Sequence, residues 1–167
     1  MKSLVEVHPF TVADIAIIQE IAHTTWPPTF QDILSKDQIE FMLDWMYNTN
    51  TLITQIQEGH LFFGARLKGE WVGFAGLEFQ QGKKKLKIHK LYVLPTAQGK
   101  GVGKKLFHFI EEKAKESKAN TIALNVNRFN PAKHFYEEMG MHIIKEEDID
   151  IGRGYLMEDF VFCKEVN

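Results

Sequence analysis

Hydrophobic positions recur along the chain with two different periods, and the changes of period outline its elements. Residues 87–94 read KIHKLYVL, rich in Ile, Leu, Tyr and Val and halted at Pro95, which predicts a strand. Farther on, Val102, Leu106, Phe109, Ile110 and Ala114 recur at helical spacing, with Lys104, Lys105, Glu111, Glu112 and Lys115 on the opposite side. That pattern predicts an amphipathic helix. Between strand and helix lies Gln98-Gly99-Lys100-Gly101-Val102-Gly103, with glycine at alternate positions where the chain must turn.

The remaining pattern divides in the same way. Residues 4–10 form a strand, and Thr11 with Asp14 makes a capping box that opens a helix striped by Ile15, Ile18, Ile21 and Ala22. Trp26-Pro27-Pro28 is expected to break it. Ser35 with Gln38 makes a second box, followed by a helix that faces inward through Ile39, Met42, Leu43 and Met46. A short helix over 52–58 stops at Gly59. Strands at 60–67 and 70–79 flank Lys68-Gly69, a hairpin signal. A strand at 121–127 precedes a helix at 130–139, with Asn130 as cap, Pro131 at the first position and Gly140 past the end. Strands at 142–151 and 155–166 close the chain. The 87–94 strand, its helix and the 121–127 strand predict a right-handed parallel crossover, whereas the hairpin-joined strands are antiparallel. The expected fold is α/β: a mixed, mostly antiparallel sheet with one central parallel pair and helices on both faces, in a single domain over 1–167.

Composition narrows the function classes. Apolar content of 44% and charged content of 25% in 167 residues are those of an ordinary globular domain. A formal net charge of −2 argues against a general nucleic-acid or membrane binder. Cys163 stands alone, so no internal disulfide or cysteine zinc site is expected, and its apolar surroundings suggest a buried small residue. The start, Met1-Lys2-Ser3-Leu4-Val5-Glu6, becomes charged before any long apolar run develops, and no stretch suits a membrane span. The cytoplasm is the expected location. His8, His23, His60, His108, His134 and His142 show neither i, i+4 pairing nor an acidic partner pattern, so no metal is expected.

The glycine turn carries the chemistry. The first turn of a helix has backbone N–H groups without intrahelical partners, and the helix dipole adds partial positive charge there. Glycines let the backbone approach a bulky anion, and Lys100, Lys104 and Lys105 add full charges. The expected ligand is a phosphate or pyrophosphate. A tight turn alone would need one glycine rather than three. A Walker loop fails, because Gly103-Lys104 is followed by Lys105 and Gln98 stands where the first glycine belongs. A dinucleotide fingerprint fails at Lys104.

The spacing Gln98-x-x-Gly101-x-Gly103 after a strand resembles the acyl-CoA pyrophosphate loop of the GNAT superfamily of N-acetyltransferases. A second segment, from Asn130-Pro131-Ala132 through Phe135-Tyr136 to Gly140-Met141, resembles that family's N-x-A-x-x-[FL]-Y-x-x-x-G-F motif, with Met141 in place of the usual Phe. The resemblance spans residues 4–166 and implies transfer of an acetyl group from acetyl-CoA to an amine. It implies that the strand before the loop is bulged and that its backbone at Leu91 and Val93 pairs with the pantetheine arm. Gln98, Gly99, Lys100, Gly101, Val102, Gly103 and Lys104 would hold the pyrophosphate, with Asn130 and Lys133 also contacting the cofactor. Tyr136 would be the acid that protonates the departing thiolate. For the base that frees the amine, His89 is the first candidate, Glu78 the second and a water chain the third. If the strand is regular, Lys87, His89, Leu91 and Val93 share a face.

The acceptor is less constrained. Trp26, Phe30, Trp45 and Tyr47 with Glu146, Glu147, Asp148 and Asp150 suit a small cationic amine. The N-terminal layout is similar to the polyamine-acetylating branch of the family. The same aromatics could instead be core and the same acids solvated. Acetylation of a protein N-terminus or lysine, and a CoA-binding sensor without turnover, are the alternatives. Lys83-Lys84-Lys85 is either an attractor for the CoA 3′-phosphate or a solvated loop. Phe160, Val161 and Phe162 make the last strand either a homodimer contact or part of the chain's own core.

Overall fold

The computed structural model describes residues 4–167, so residues 1–3, where the expectation about the chain's start begins, lie outside it. The order is β1 (Val5–Phe10), α1 (Ile15–Phe30), α2 (Lys36–Tyr47), α3 (Thr49–Gln57), β2 (Leu61–Leu67), β3 (Glu70–Gln80) and β4 (Lys85–Val93). Then follow α4 (Val102–Glu116), β5 (Thr121–Asn127), α5 (Lys133–Glu138), β6 (His142–Gly152) and β7 (Tyr155–Glu165). Seven strands form one sheet in the order β1-β2-β3-β4-β5-β7-β6. Only β4 and β5 pair in parallel; the other neighbours are antiparallel. This is the expected mixed α/β sheet.

Each face of the sheet has its own core. On one, α4 buries Val102, Leu106, Phe107 and Ile110 against Leu77, Leu86, Ile88 and Leu124, and α5 adds Tyr136. On the other, α1 to α3 pack Ile18, Trp26, Met42, Tyr47 and Leu52 on Phe62 and Phe74. The hairpin between β2 and β3 turns on Lys68 (φ 52°) and Gly69 (φ 82°), the left-handed pair that a two-residue loop requires.

Several boundaries differ from the sequence pattern for physical reasons. Helix α1 does not break at Pro27-Pro28 but continues through both to Phe30. The prolines lie on the water-facing side, as do His23 and Thr24, whose carbonyls lose their helical partners to them. Trp26 and Phe30, on the inner side, are buried and hold the turn in place. Ser35 caps α2 by accepting from the Gln38 N–H, but the Gln38 side chain donates to the Leu156 carbonyl at 2.9 Å, so the box is only half formed. On α4, Phe107 is fully buried while Phe109 is only partly so. Asn130 and Pro131 form a turn ahead of α5 rather than its first residues. Cys163 is partly exposed. The last strand is not an edge: β7 pairs with β5 on one side and β6 on the other, and Val161 and Phe162 fill the chain's own core.

Candidate active site

The sheet opens where its parallel pair ends. Strand β4 bonds β5 only from Lys85 to Ile88, opposite Thr121 to Leu124; beyond that the two strands separate. A bulge falls at the same place. On β3, Leu77 faces Ile88 and the next residue, Gly76, faces Lys90, which leaves His89 as the inserted residue. The bulge reverses the alternation of β4. Before it Leu86 and Ile88 pack on the α4 side; after it Leu91 and Val93 do. Lys90 and Tyr92 face the α1–α3 side instead, with the Lys90 ammonium over the rings of Tyr47 and Phe62. Lys87, His89, Leu91 and Val93 therefore do not share a face, because the inserted residue shifts the period by one.

A cleft of about 1010 Å³ fills this opening, from the glycine turn at one end to α2 and β7 at the other. Gly99 (φ 80°) and Gly101 (φ 81°) are left-handed, and a Cβ on either would project into open space. Gly101 caps α4 with no side-chain hydrogen bond to its first turn, so those N–H groups remain for an external acceptor. A Cβ on Gly103 would meet the Phe135 ring of α5 at 3.4 Å, an ordinary van der Waals contact. Gln98, Gly99, Gly101, Val102, Gly103, Lys104, Leu91, Val93 and Asn130 all line the cleft. The donor-rich helix start, the open glycines and the strand edge that β5 has left fit the diphosphate and amide-bearing arm of coenzyme A.

Two expected contributors lie apart from this lining. Lys100 is exposed beside the turn. The Lys133 ammonium sits over Phe160 and reaches the Arg128 carbonyl at 3.5 Å. The Lys83–Lys85 run lies where β4 begins, while the glycine turn follows its end, so about 26 Å of extended strand separates them. It is a solvated turn, with Lys84 left-handed (φ 46°). Asn130 caps locally, its Oδ1 accepting from the Ala132 N–H at 2.9 Å.

Tyr136 lines the cleft from the α4 side, its ring held by Phe135 (5.4 Å) and Phe162 (6.0 Å). Among the described residues its hydroxyl has no hydrogen-bond partner. Burial pushes its ionisation far above the ordinary phenol value, so it stays a neutral donor.

His89 lies on the opposite side of the opening. Its Nε2 is 2.8 Å from Glu78 Oε1 and its ring stacks on His60 at 5.0 Å, with His60 Nε2 3.7 Å from Glu78 Oε2. A carboxylate accepts only, so Nε2 carries the hydrogen and Nδ1 is the nitrogen able to take a proton. Burial, outweighing the Glu78 hydrogen bond, lowers the His89 pKa, and His60 and Lys90 lower it further. The imidazole is therefore neutral near pH 7. The hydrogen bond from His89 in turn holds Glu78 below the usual carboxylate range. These three side chains come from β4, β3 and the residue before β2. Only the strand register brings them together, which is why the histidines look unpartnered in sequence.

At the acceptor end the acidic residues sort differently from the sequence expectation. Glu146 and Asp148 are bound to Arg128, and Asp150 accepts from the Gly152 N–H at 2.8 Å in the final turn. Trp26 and Tyr47 are core residues, and Trp45 is exposed. The buried carboxylate is Asp159 on β7, 3% exposed, with Asn125 and Lys87 beside it. Tyr92 and Asp159 both line the cleft, and neither carries a sequence signal of its own.

The comparisons with known proteins agree with this geometry. The model of the acetyltransferase (GNAT) family matches residues 16–141. The chain is similar to a spermidine N(1)-acetyltransferase from Thermoplasma acidophilum, at 28% identity over 160 residues, covering 92% of this chain and 96% of that protein. An uncharacterized N-acetyltransferase from Lactobacillus delbrueckii subsp. lactis is 28% identical over 140 residues, 79% of this chain and 81% of its own. Among solved structures, the PaiA N-acetyltransferase of Thermoplasma acidophilum in complex with coenzyme A superposes with a TM-score of 0.82, at 26% identity over 99% of both chains. A split sheet with a glycine turn at the head of α4, a tyrosine on α5 and these relatives lead to one conclusion: the chain belongs to the GNAT family and is an N-acetyltransferase that uses acetyl-CoA.

Proposed function

We propose that the acceptor is a small cationic primary amine of the polyamine type, acetylated by direct attack on the thioester. The observation that carries this reading is the cleft's division between the two faces of the sheet. Its α4 side holds the anion-binding turn and Tyr136, and its α1–α3 side holds His89, Asp159 and the apolar walls of α2 and β7. The likeness to a spermidine acetyltransferase over nearly the whole chain supports the same acceptor class.

Acetyl-CoA, when bound, supplies an activated acyl carbon and a thiolate leaving group. Gln98, Gly99 and Gly101 to Lys104 bind and orient its diphosphate, and the backbone of Leu91 and Val93 pairs with its arm. Asn130 both caps the turn and faces the cofactor. His89 Nδ1 takes a proton from the acceptor nitrogen, directly or through a water, while Glu78 fixes the ring and its tautomer. Tyr136 gives its hydroxyl proton to the departing sulfur. For association of two copies we infer β6 as the contact, because it is one of the sheet's two edge strands, with β1 the other, and it carries Ile143, Ile144 and Ile149 exposed.

The test is thiol release from acetyl-CoA with three acceptor sets: linear polyamines, peptides with free N-termini or lysines, and none. Fast release with polyamines alone is expected. Preference for peptides would move the acceptor to a protein, and no acceptor-dependent release would favour a CoA-binding sensor.

A further inference from the structure

Resting on the cationic-amine reading above, we propose that Asp159 receives a second, non-reacting protonated nitrogen of the acceptor and so selects diamines and longer polyamines over monoamines. Asp159 is 3% exposed yet lines the cleft. Among the described residues its side chain has one hydrogen bond, from Asn125 Nδ2 at 3.2 Å, and no cation within salt-bridge distance. A carboxylate taken this far out of water is costly unless a cation meets it. Its charged neighbours are already engaged. The Lys87 ammonium donates to Asn125 Oδ1 at 2.6 Å, and Arg128 is bound to Glu146 and Asp148.

The Asn125 amide is oriented by this arrangement. Its oxygen faces Lys87, and its NH₂ serves both Glu147 (3.0 Å) and Asp159. Lys87 thus fixes Asn125, and Asn125 fixes Asp159, while Lys87 itself stays short of the carboxylate. The cleft that Asp159 lines is also walled by Met42 and Met46 of α2 and by Leu156 and Met157 of β7. Flexible apolar side chains in one cleft with a buried carboxylate that has no salt-bridge partner match a methylene chain that ends in an ammonium. A second ammonium would gain a charge-assisted hydrogen bond in a low-dielectric site, whereas a methyl in its place would leave the carboxylate unpaired. Burial raises the Asp159 pKa, the direction expected for a carboxylate that lacks its cation.

The experiment compares a linear α,ω-diamine with the alkyl monoamine of equal length, using the parent protein and Asp159→Asn. The parent should favour the diamine in kcat/KM by at least about tenfold, the size of one buried charged hydrogen bond. Asp159→Asn should raise KM for the diamine by a similar factor, leave its kcat and the KM for acetyl-CoA near the parent values, and leave the monoamine unaffected. Equal kcat/KM for the two amines in the parent overturns the proposal without need of the variant, should the variant fail to fold. Equal losses for both amines in Asp159→Asn, or no loss for either, also overturn it. If the parent acetylates no amine at all, the cationic-amine reading itself fails, an outcome distinct from the others.

Discussion

At the residue scale, the proposed mechanism assigns the proton transfers to two side chains on opposite sides of the split, Tyr136 and His89. Tyr136→Phe removes one hydroxyl and little volume, and the ring contacts with Phe135 and Phe162 survive, so fold and CoA affinity should persist. General-acid assistance is typically worth ~10²–10⁴ in rate, and kcat should fall by that range. The loss should shrink with a thioester of a more acidic thiol, measured by single-turnover rates. His89 must be deprotonated to act, and its pKa is lowered, so the acid limb of kcat/KM should lie below the ordinary imidazole value of about 6.5. His89→Ala should remove that limb from the pH profile; a profile superimposable on the parent's would assign the base to water or Glu78. Tyr136 was legible in sequence because its motif is local. Asp159 was not, since nothing local separates it from Asp148 or Asp150, and only the β5–β7 pairing places it in the cleft.

At the element scale, the glycine turn and the β4 bulge decide what the site can hold. Gly103 has an ordinary helical φ, and its nearest outside contact for a Cβ is the edge of the Phe135 ring, so Gly103→Asp should fold. Its carboxylate would repel a diphosphate, and acetyl-CoA should then raise the Tm of the parent but barely that of the variant. Equal stabilisation would remove the turn from the binding site. The bulge also buries Lys90, whose pKa is lowered by desolvation to about 8 from 10.5. Between those values the unfolded chain binds the proton and the folded chain does not, so Lys90 makes stability rise with pH across the window. The slope is about 1.4 kcal/mol per pH unit at most. Lys90→Met should be more stable than the parent near pH 7, with the difference shrinking toward pH 10, as read from urea midpoints. Periodicity located the elements because the apolar stripes are long, but it could not locate the bulge. A single inserted residue leaves no signature in KIHKLYVL, and it exchanges the faces of every later side chain.

At the scale of the whole molecule, the seven strands and five α-helices of the described residues open one seam between β4 and β5 and present it to both faces. The position of β7 between β5 and β6 was illegible in the order of elements, because a hairpin can be added to a sheet by either of its strands. That placement puts Asp159 beside the seam and leaves β6 as the edge strand on that side of the sheet. If two copies associate through β6, Ile144→Lys should turn a dimer into a monomer in light scattering; a parent that stays monomeric at high concentration would remove that contact. The central claim is that donor and acceptor occupy the two sides of the seam together and that the acetyl group passes directly between them. Initial velocities measured while acetyl-CoA and a diamine are varied against each other test this most directly. Double-reciprocal lines that intersect are predicted, since both substrates must be bound before product leaves; parallel lines, the kinetic mark of an acyl-enzyme, would contradict it.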